Sequence, residues 1–176
     1  MNYGNIKFYD IANGEGIRVS LFVSGCTNKC IGCFNPEAQD FEYGKLYTHA
    51  TEREILSQIS KEYISGLSIL GGDPMCQDNA GLTYLIHLVN AVHDMGKTVW
   101  LWTGFKWGDL IRPTRDMCTC LQYGLLKRCD VVIDGPFIES QKDLTLVFRG
   151  SSNQRIIDVK QSLQQNKIIL WKEGQY

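Results

Sequence analysis

The sequence predicts an α/β fold with a mostly parallel sheet in a single domain, and three observations predict it. Four short apolar runs, 19–23, 67–70, 98–102 and 130–133, each lead directly into a glycine-bearing turn. Stretches with helical periodicity separate the last three of these runs. The 176 residues suffice for one hydrophobic core but fall short of a closed eight-unit barrel. Strands alternating with helices are joined by right-handed crossovers, which make neighbouring strands parallel.

Taken in order, Gly14-Glu15-Gly16-Ile17-Arg18 is a glycine-rich turn. In the strand behind it Val19, Leu21 and Val23 alternate with Ser20, Phe22 and Ser24, delivering Gly25 and Cys26 to the strand end. After Cys33, Asn35 is placed to cap a short helix with Pro36 at its first position, where no N–H donor is needed. Thr51-Glu52-Arg53-Glu54 reads as a capping box, and Ile55, Leu56, Ile59 and Tyr63 share one face of the helix it starts, a region that Gly66 ends. The run 67–70 meets Gly71-Gly72-Asp73-Pro74, which cannot continue a strand. Leu82, Leu85, Ile86, Val89 and Val92 define a helix over 79–95 with Gly96 as its stop. Residues 106–128 are mostly helical, with a break at Pro113. Beyond 130–133 the alternation weakens: 144–148 and 167–171 read as strands, and 156–163 is ambiguous.

Composition narrows the function. A net charge of -1 with scattered lysines and arginines gives no electrostatic grip on nucleic acid, and no stretch is apolar for long enough to span a membrane. The first residues show no charged region followed by an apolar segment, so a cytoplasmic location is expected. Seven cysteines are many for that compartment, and an odd number argues against a full disulfide framework. Reduced thiols that bind metal explain them better.

Three of the cysteines stand in eight residues, Cys26-Thr27-Asn28-Lys29-Cys30-Ile31-Gly32-Cys33. Chance places such a spacing in a chain of this composition about 0.01 times, so the pattern asks for a shared metal centre. Zinc in a structural site takes four ligands, and a remote Cys76 or Cys129 is the available fourth; an iron-sulfur cluster held by three thiolates would instead leave one iron open for chemistry. Both centres fit the spacing. Ligands of parallel α/β folds bind at the carboxyl ends of the strands, where the cysteine loop, Gly71-Gly72-Asp73-Pro74, Thr103-Gly104 and Asp134-Gly135 all fall. Adjacent glycines admit a close backbone approach, and the acid beside them suits an amine, although a simple tight turn reads the same way in isolation. Cys118, Cys120 and Cys129 read as buried small residues, the three histidines as isolated, and Trp100, Trp102 and Trp107 as packing, with one able to stack on an adenine. The polar run 148–155, rich in Arg, Ser, Asn and Gln, is either a solvated loop or a grip for a carboxylate or a partner's backbone.

Cys26-x3-Cys30-x2-Cys33 behind a strand, followed by a Gly-Gly-acid-Pro loop, resembles the radical S-adenosylmethionine enzymes. Further segments are similar to the branch that activates anaerobic ribonucleotide reductases: Gly14-x-Gly16-Ile17-Arg18, Ser24-Gly25-Cys26, Gly32-Cys33-Phe34-Asn35, Asp134-Gly135-Pro136-Phe137 and Arg149-Gly150-Ser151-Ser152-Asn153-Gln154-Arg155. Together they cover most of the chain. The resemblance implies a partial, open radical-SAM-type β/α barrel over residues 1–176, and an oxidoreductase with a 4Fe-4S cluster on Cys26, Cys30 and Cys33. The fourth iron would bind the amino and carboxylate groups of S-adenosyl-L-methionine. Reductive cleavage would release methionine and a 5'-deoxyadenosyl radical that takes hydrogen from a glycine on the large subunit of an anaerobic ribonucleoside-triphosphate reductase. By the same resemblance Gly71, Gly72 and Asp73 would meet the methionine amino group, Gly32 and Phe34 the adenine side, and Thr103 and Asp134 other parts of the cofactor. An electron donor such as a flavodoxin is implied as a second partner. Asp73 stands where the superfamily more often has glutamate, and Cys118 and Cys120 match no motif. Two other readings stand beside this one: a compact enzyme acting on a small molecule, like the deazaguanine-forming synthases, and a non-catalytic zinc or iron-sulfur module.

Overall fold

The four apolar runs do assemble into the centre of one sheet. The structure, a computed structural model, describes residues 1–172 and 174. In chain order its elements are β1 (Asn2–Asp10), β2 (Arg18–Val23), β3 (Lys45–Leu46), α1 (His49–Ile59), β4 (Gly66–Gly71), α2 (Asn79–Asp94), β5 (Thr98–Trp102), α3 (Trp107–Leu110), α4 (Met117–Leu126), β6 (Val131–Asp134), β7 (Arg155–Asp158) and α5 (Val159–Gln165). Among the described residues the sheet has seven strands in the order β3-β1-β2-β4-β5-β6-β7. The strands β2, β4, β5 and β6 are parallel, β1 and β7 flank them antiparallel, and β3 pairs antiparallel with β1 at the edge. With β3 and β7 as its terminal strands, not joined to each other, the sheet is open, consistent with a partial barrel.

Side-chain alternation assigns each face of this sheet a different task. One face buries Val19, Leu21, Leu67, Ile69, Val99 and Leu101 against Ile55 and Ile59 of α1, Leu85 and Val89 of α2, and Leu125 of α4. The other face carries Trp100, Val131 and Ile133, with Trp102, Phe148, Ile156 and Trp171 packed on them. Trp100 meets Phe148 and Trp171 edge-on, at ring distances of 5.2 and 4.9 Å. These aromatics fill the lower part of the inner face; the upper part stays open.

Arg18 ties the strands together at the end away from that opening, with 1% of its surface exposed. Its Nε donates to Ser68 Oγ (2.8 Å), Nη1 to Thr98 Oγ1 (3.0 Å) and Glu15 O (3.3 Å), and Nη2 to Leu67 O (2.8 Å) and Thr98 O (2.9 Å). Each of the five guanidinium N–H groups therefore has an acceptor. The cation also lies over the Trp100 ring, 5.5 Å from its centre. Burial pulls Arg18 down to about 9, with Asp130 and Glu15 acting against it, so the side chain is still charged at neutral pH.

Several local expectations shift. The N-terminal strand β1 lies outside the four apolar runs, although exposure alternates along it, with Ile6 and Phe8 turned to the core and Asn5, Lys7 and Tyr9 outward. The first helix begins at His49, and the capping box is formed by Thr48 and Thr51 rather than by Thr51 and Glu54. Asn35 caps nothing with its side chain: the short 3-10 turn Glu37–Gln39 has Pro36 as its N-cap residue. Segment 144–148 is not a strand; the free side of β6 is taken by β7, and Phe148 adopts a left-handed φ of 59°. Segment 167–171 makes only a bridge of Leu170 to Ile157. The ambiguous 156–163 divides at Asp158, which ends β7 and caps α5 through Gln161 N at 2.8 Å.

Replacing Arg18 by Met preserves much of the bulk but removes five hydrogen bonds, two of them to the Leu67 and Thr98 carbonyl oxygens that also accept within the β4–β5 ladder. Ordinary bonds contribute about 0.5–1.5 kcal/mol each and the relieved burial of the cation offsets part of that, so denaturant unfolding should show Arg18→Met less stable by about 1–3 kcal/mol. Arg18→Lys, which cannot reproduce the planar fork, should recover only part of that loss.

Candidate metal and cofactor site

The cysteine loop leaves β2 at Gly25, whose φ of +97° turns the chain out of the sheet. The loop closes on itself, Gly25 N donating to Ala38 O (2.8 Å) and Cys26 N to Gln39 O (3.1 Å). Between these ties Lys29 and Gly32 both take left-handed conformations. Those reversals bring Cys26, Cys30 and Cys33 to the wall of one cavity of about 500 Å³. Its other walls include Gly71, Gly72 and Asp73 after β4, Thr103 and Gly104 after β5, and Gly135 after β6. The strand-end loops do converge.

Asp73 holds this convergence together. It is 1% exposed and takes four donors: Asn28 Nδ2 (2.6 Å), Thr103 Oγ1 (3.1 Å) and Gly104 N (2.8 Å) on Oδ2, and Met75 N (2.9 Å) on Oδ1. Burial pushes its carboxyl above the usual range, and those four bonds act against the shift. The two glycines before it are required by the protein's own backbone. A Cβ on Gly71, where φ is +108°, would stand 2.6 Å from Val23 O, and one on Gly72 would stand 2.5 Å from Gly25 O and 2.6 Å from Ala38 O. The turn thus packs directly under the cysteine loop, with Gly72 N donating to Val23 O and Asp73 N to Gly25 O.

The donor set discriminates between the metal centres. Sulfurs sharing one tetrahedral zinc at about 2.3 Å stand roughly 3.8 Å apart. Among the described residues Cys26, Cys30 and Cys33 do not all approach within 4.8 Å of one another; the group that does is Cys26, Asp73 and Cys76, in which Asp73 is already filled by protein donors. Three thiols spread around one cavity fit a polynuclear cluster better than a single ion.

Comparison with known proteins agrees. A family model described as a 4Fe-4S single cluster domain matches residues 12–157. The anaerobic ribonucleoside-triphosphate reductase-activating protein of Enterobacteria phage T4 is 40% identical over 157 residues, covering 89% of this chain and 93% of that one. Its counterpart in Haemophilus influenzae is 39% identical over 162 residues (89% and 97%), and that of Escherichia coli K12 is 36% identical over 157 residues (88% and 96%). The chain belongs to the anaerobic ribonucleoside-triphosphate reductase-activating family. Its members carry a 4Fe-4S centre and use S-adenosylmethionine, and no helix among the described residues is long and apolar enough to cross a membrane.

In this family member not every residue expected at the cofactor reaches the cavity. Phe34 lines it while 63% exposed, edge-on to Phe137 at 5.1 Å and under Lys142 Nζ at 5.2 Å. Gly32 is a turn residue outside the lining. Asp134 is buried beneath it, paired with Arg155 and accepting from Trp107 N at 2.8 Å, so that Gly135 lies at the wall in its place. Much of the polar run serves the loop itself: Gln154 Oε1 accepts from Gly150 N and Ser151 N, Gln154 Nε2 donates to Gly135 O, and Asn153 Nδ2 donates to Pro136 O. Of the tryptophans, Trp102 lines the cavity, fixed by its bond to Phe148 O, whereas Trp100 and Trp107 are buried. Sequence reasoning had no role for Asn28 or Phe137, whose partners lie far off in the chain.

Gly72→Ala should lift the cysteine loop from the turn beneath it, so reconstituted protein should bind less iron per chain while far-UV circular dichroism is largely kept. Asp73→Asn replaces one oxygen by an N–H donor facing N–H donors. It should lower stability by about 2–4 kcal/mol, readable as a shifted unfolding midpoint.

Proposed function

We propose that the protein generates a glycyl radical on the large subunit of an anaerobic ribonucleoside-triphosphate reductase. The observation that carries this reading is the meeting of three cysteine sulfurs and the β4, β5 and β6 end loops on one cavity. Cys26, Cys30 and Cys33 hold the cluster, and the cavity beside them takes S-adenosylmethionine. When bound, the cluster supplies an electron to the sulfonium and an open iron for the amino-acid end of the cofactor.

The chain's own residues then orient and enclose. Asp73 has little hydrogen-bonding capacity left, so it acts on the cofactor by fixing Asn28 of the cysteine loop and the Thr103-Gly104 turn at the cavity wall. Phe34 and Trp102 offer flat apolar faces for the adenine, the one at the mouth and the other on the inner wall. Phe34 and Leu144 belong to the lining yet are 63% and 81% exposed, and Ile31 within the cysteine loop is 79% exposed. An apolar rim of this kind around a small cavity suits a protein substrate that supplies its own reacting segment. A flavodoxin-like donor provides the electron.

Protein prepared without oxygen should be brown, with a broad visible shoulder that Cys30→Ala abolishes. Mixed with S-adenosylmethionine, a reductant and the matched reductase, it should give a glycyl radical doublet in electron paramagnetic resonance. Colourless protein carrying one zinc, or a brown protein giving no doublet, would overturn the proposal.

A further inference from the structure

Cys76 lies outside the three-cysteine motif, at the end of the turn that follows Asp73, yet its sulfur stands against that of Cys26. The two Sγ atoms and a carboxylate oxygen of Asp73 lie within 4.8 Å of one another. Thr27, the residue after Cys26, grips the Cys76 sulfur from two sides: its N donates at 3.4 Å, and its Oγ1 lies at 3.2 Å. Asn28 Nδ2 lies 3.5 Å from the Cys26 sulfur and donates to it. The same loop that presents Cys26 therefore also holds Cys76 in place.

The remaining donor has two acceptors within reach. A backbone N–H only donates, so the Cys76 sulfur accepts from Thr27 N and has its own S–H to give, either to Thr27 Oγ1 or to the sulfur of Cys26. Asp73 is filled by four donors. A metal-bound thiolate, in contrast, only accepts. Of the two acceptors the Cys26 thiolate is charged and the Thr27 hydroxyl is not, so Cys26 is the stronger one, and the Thr27 O–H is then free to donate to Cys76. Cys76 is absent from the cavity lining that includes Cys26, Cys30 and Cys33, which places it behind Cys26 and not at a fourth corner of the centre.

We infer that Cys76 is a positioning residue of the cluster: a thiol that is not a ligand, donates a hydrogen bond to the Cys26 sulfur and raises the reduction potential of the centre. The inference rests on the reading of Cys26, Cys30 and Cys33 as cluster ligands. A hydrogen bond to a ligand sulfur withdraws charge from it and favours the reduced, more negative state. It also restrains the Cys26 side chain when the cluster gains an electron.

The test compares wild type, Cys76→Ala and Cys76→Ser, each reconstituted without oxygen, by iron content and by a redox titration followed by electron paramagnetic resonance. All three should hold the same iron per chain. At the potential where wild type is half reduced, Cys76→Ala should show a reduced-to-oxidised ratio lower by about threefold or more; a tenfold change is about 59 mV for one electron. Cys76→Ser keeps a donor and should return part of the loss. Three results would overturn the inference: an unchanged titration for Cys76→Ala, a loss of iron in Cys76→Ala like that in Cys30→Ala, or a shift that Cys76→Ser does not reduce at all. Wild type without a cluster is a separate result, which would strike at the ligand reading itself.

Discussion

The site depends on one carboxylate, that of Asp73, placed where the cysteine loop, the turn behind β4 and the end of β5 come together. Taking a charge out of water costs several kcal/mol even after relaxation. Hydrogen bonds to a charged acceptor contribute about 1.5–3 kcal/mol each, so four of them offset much of that cost, although burial still holds the carboxyl above its usual range. An incomplete set would offset less. The arrangement is therefore cooperative in a simple sense: Asn28, Thr103, Gly104 and Met75 must all arrive before the carboxylate is comfortable, and once they have, three loops from distant parts of the chain share one geometry. The cavity has its shape because of this internal salt-free knot, not because any single loop is rigid.

The sequence shows the outline of that knot and hides its centre. Cys26, Cys30 and Cys33 are legible because their spacing is local, and the central strands because apolar runs ending at glycine-bearing turns announce both a buried strand and its stop. Asp73 is legible as an acidic residue in a special turn, but its donors sit 45, 30 and 31 residues away at Asn28, Thr103 and Gly104, where nothing local marks them. The acid looks like a ligand contact from the sequence and is largely internal in the fold. The glycines mislead in the same direction: they suggest room for a cofactor, whereas a Cβ there would first meet Val23, Gly25 or Ala38.

Where the secondary structure departs from expectation, competition for sheet edges explains it. Residues 144–148 alternate well enough to form a strand, but β7 already occupies the free side of β6. The segment instead crosses the inner face as an irregular strap, with Phe148 packed on Trp100 and its carbonyl taken by Trp102. Its left-handed backbone at Phe148 is strain of about 1–3 kcal/mol, compensated by the aromatic packing beneath. Conversely β1 does form a strand beside β2 with irregular register, Ile6 and Phe8 facing the core and Asn5, Lys7 and Tyr9 the solvent, so a short alternating stretch is all that marks it in the sequence.

Arg18 bears on how such a chain can assemble. Its acceptors lie 3, 49, 50 and 80 positions away, in the turn before β2 and on β4 and β5, strands that β2 meets only across helical crossovers. No local nucleus can satisfy it. A compact intermediate containing β2 and β4 without β5 would hold a guanidinium in apolar surroundings with two of its bonds to Thr98 unmade, and would be penalised accordingly. The buried cation thereby works against half-built sheets. It slows the search, since long-range contacts must come first, but it narrows the gap between beginning to fold and having folded, leaving few partly open forms through which an oxygen-sensitive centre would be exposed.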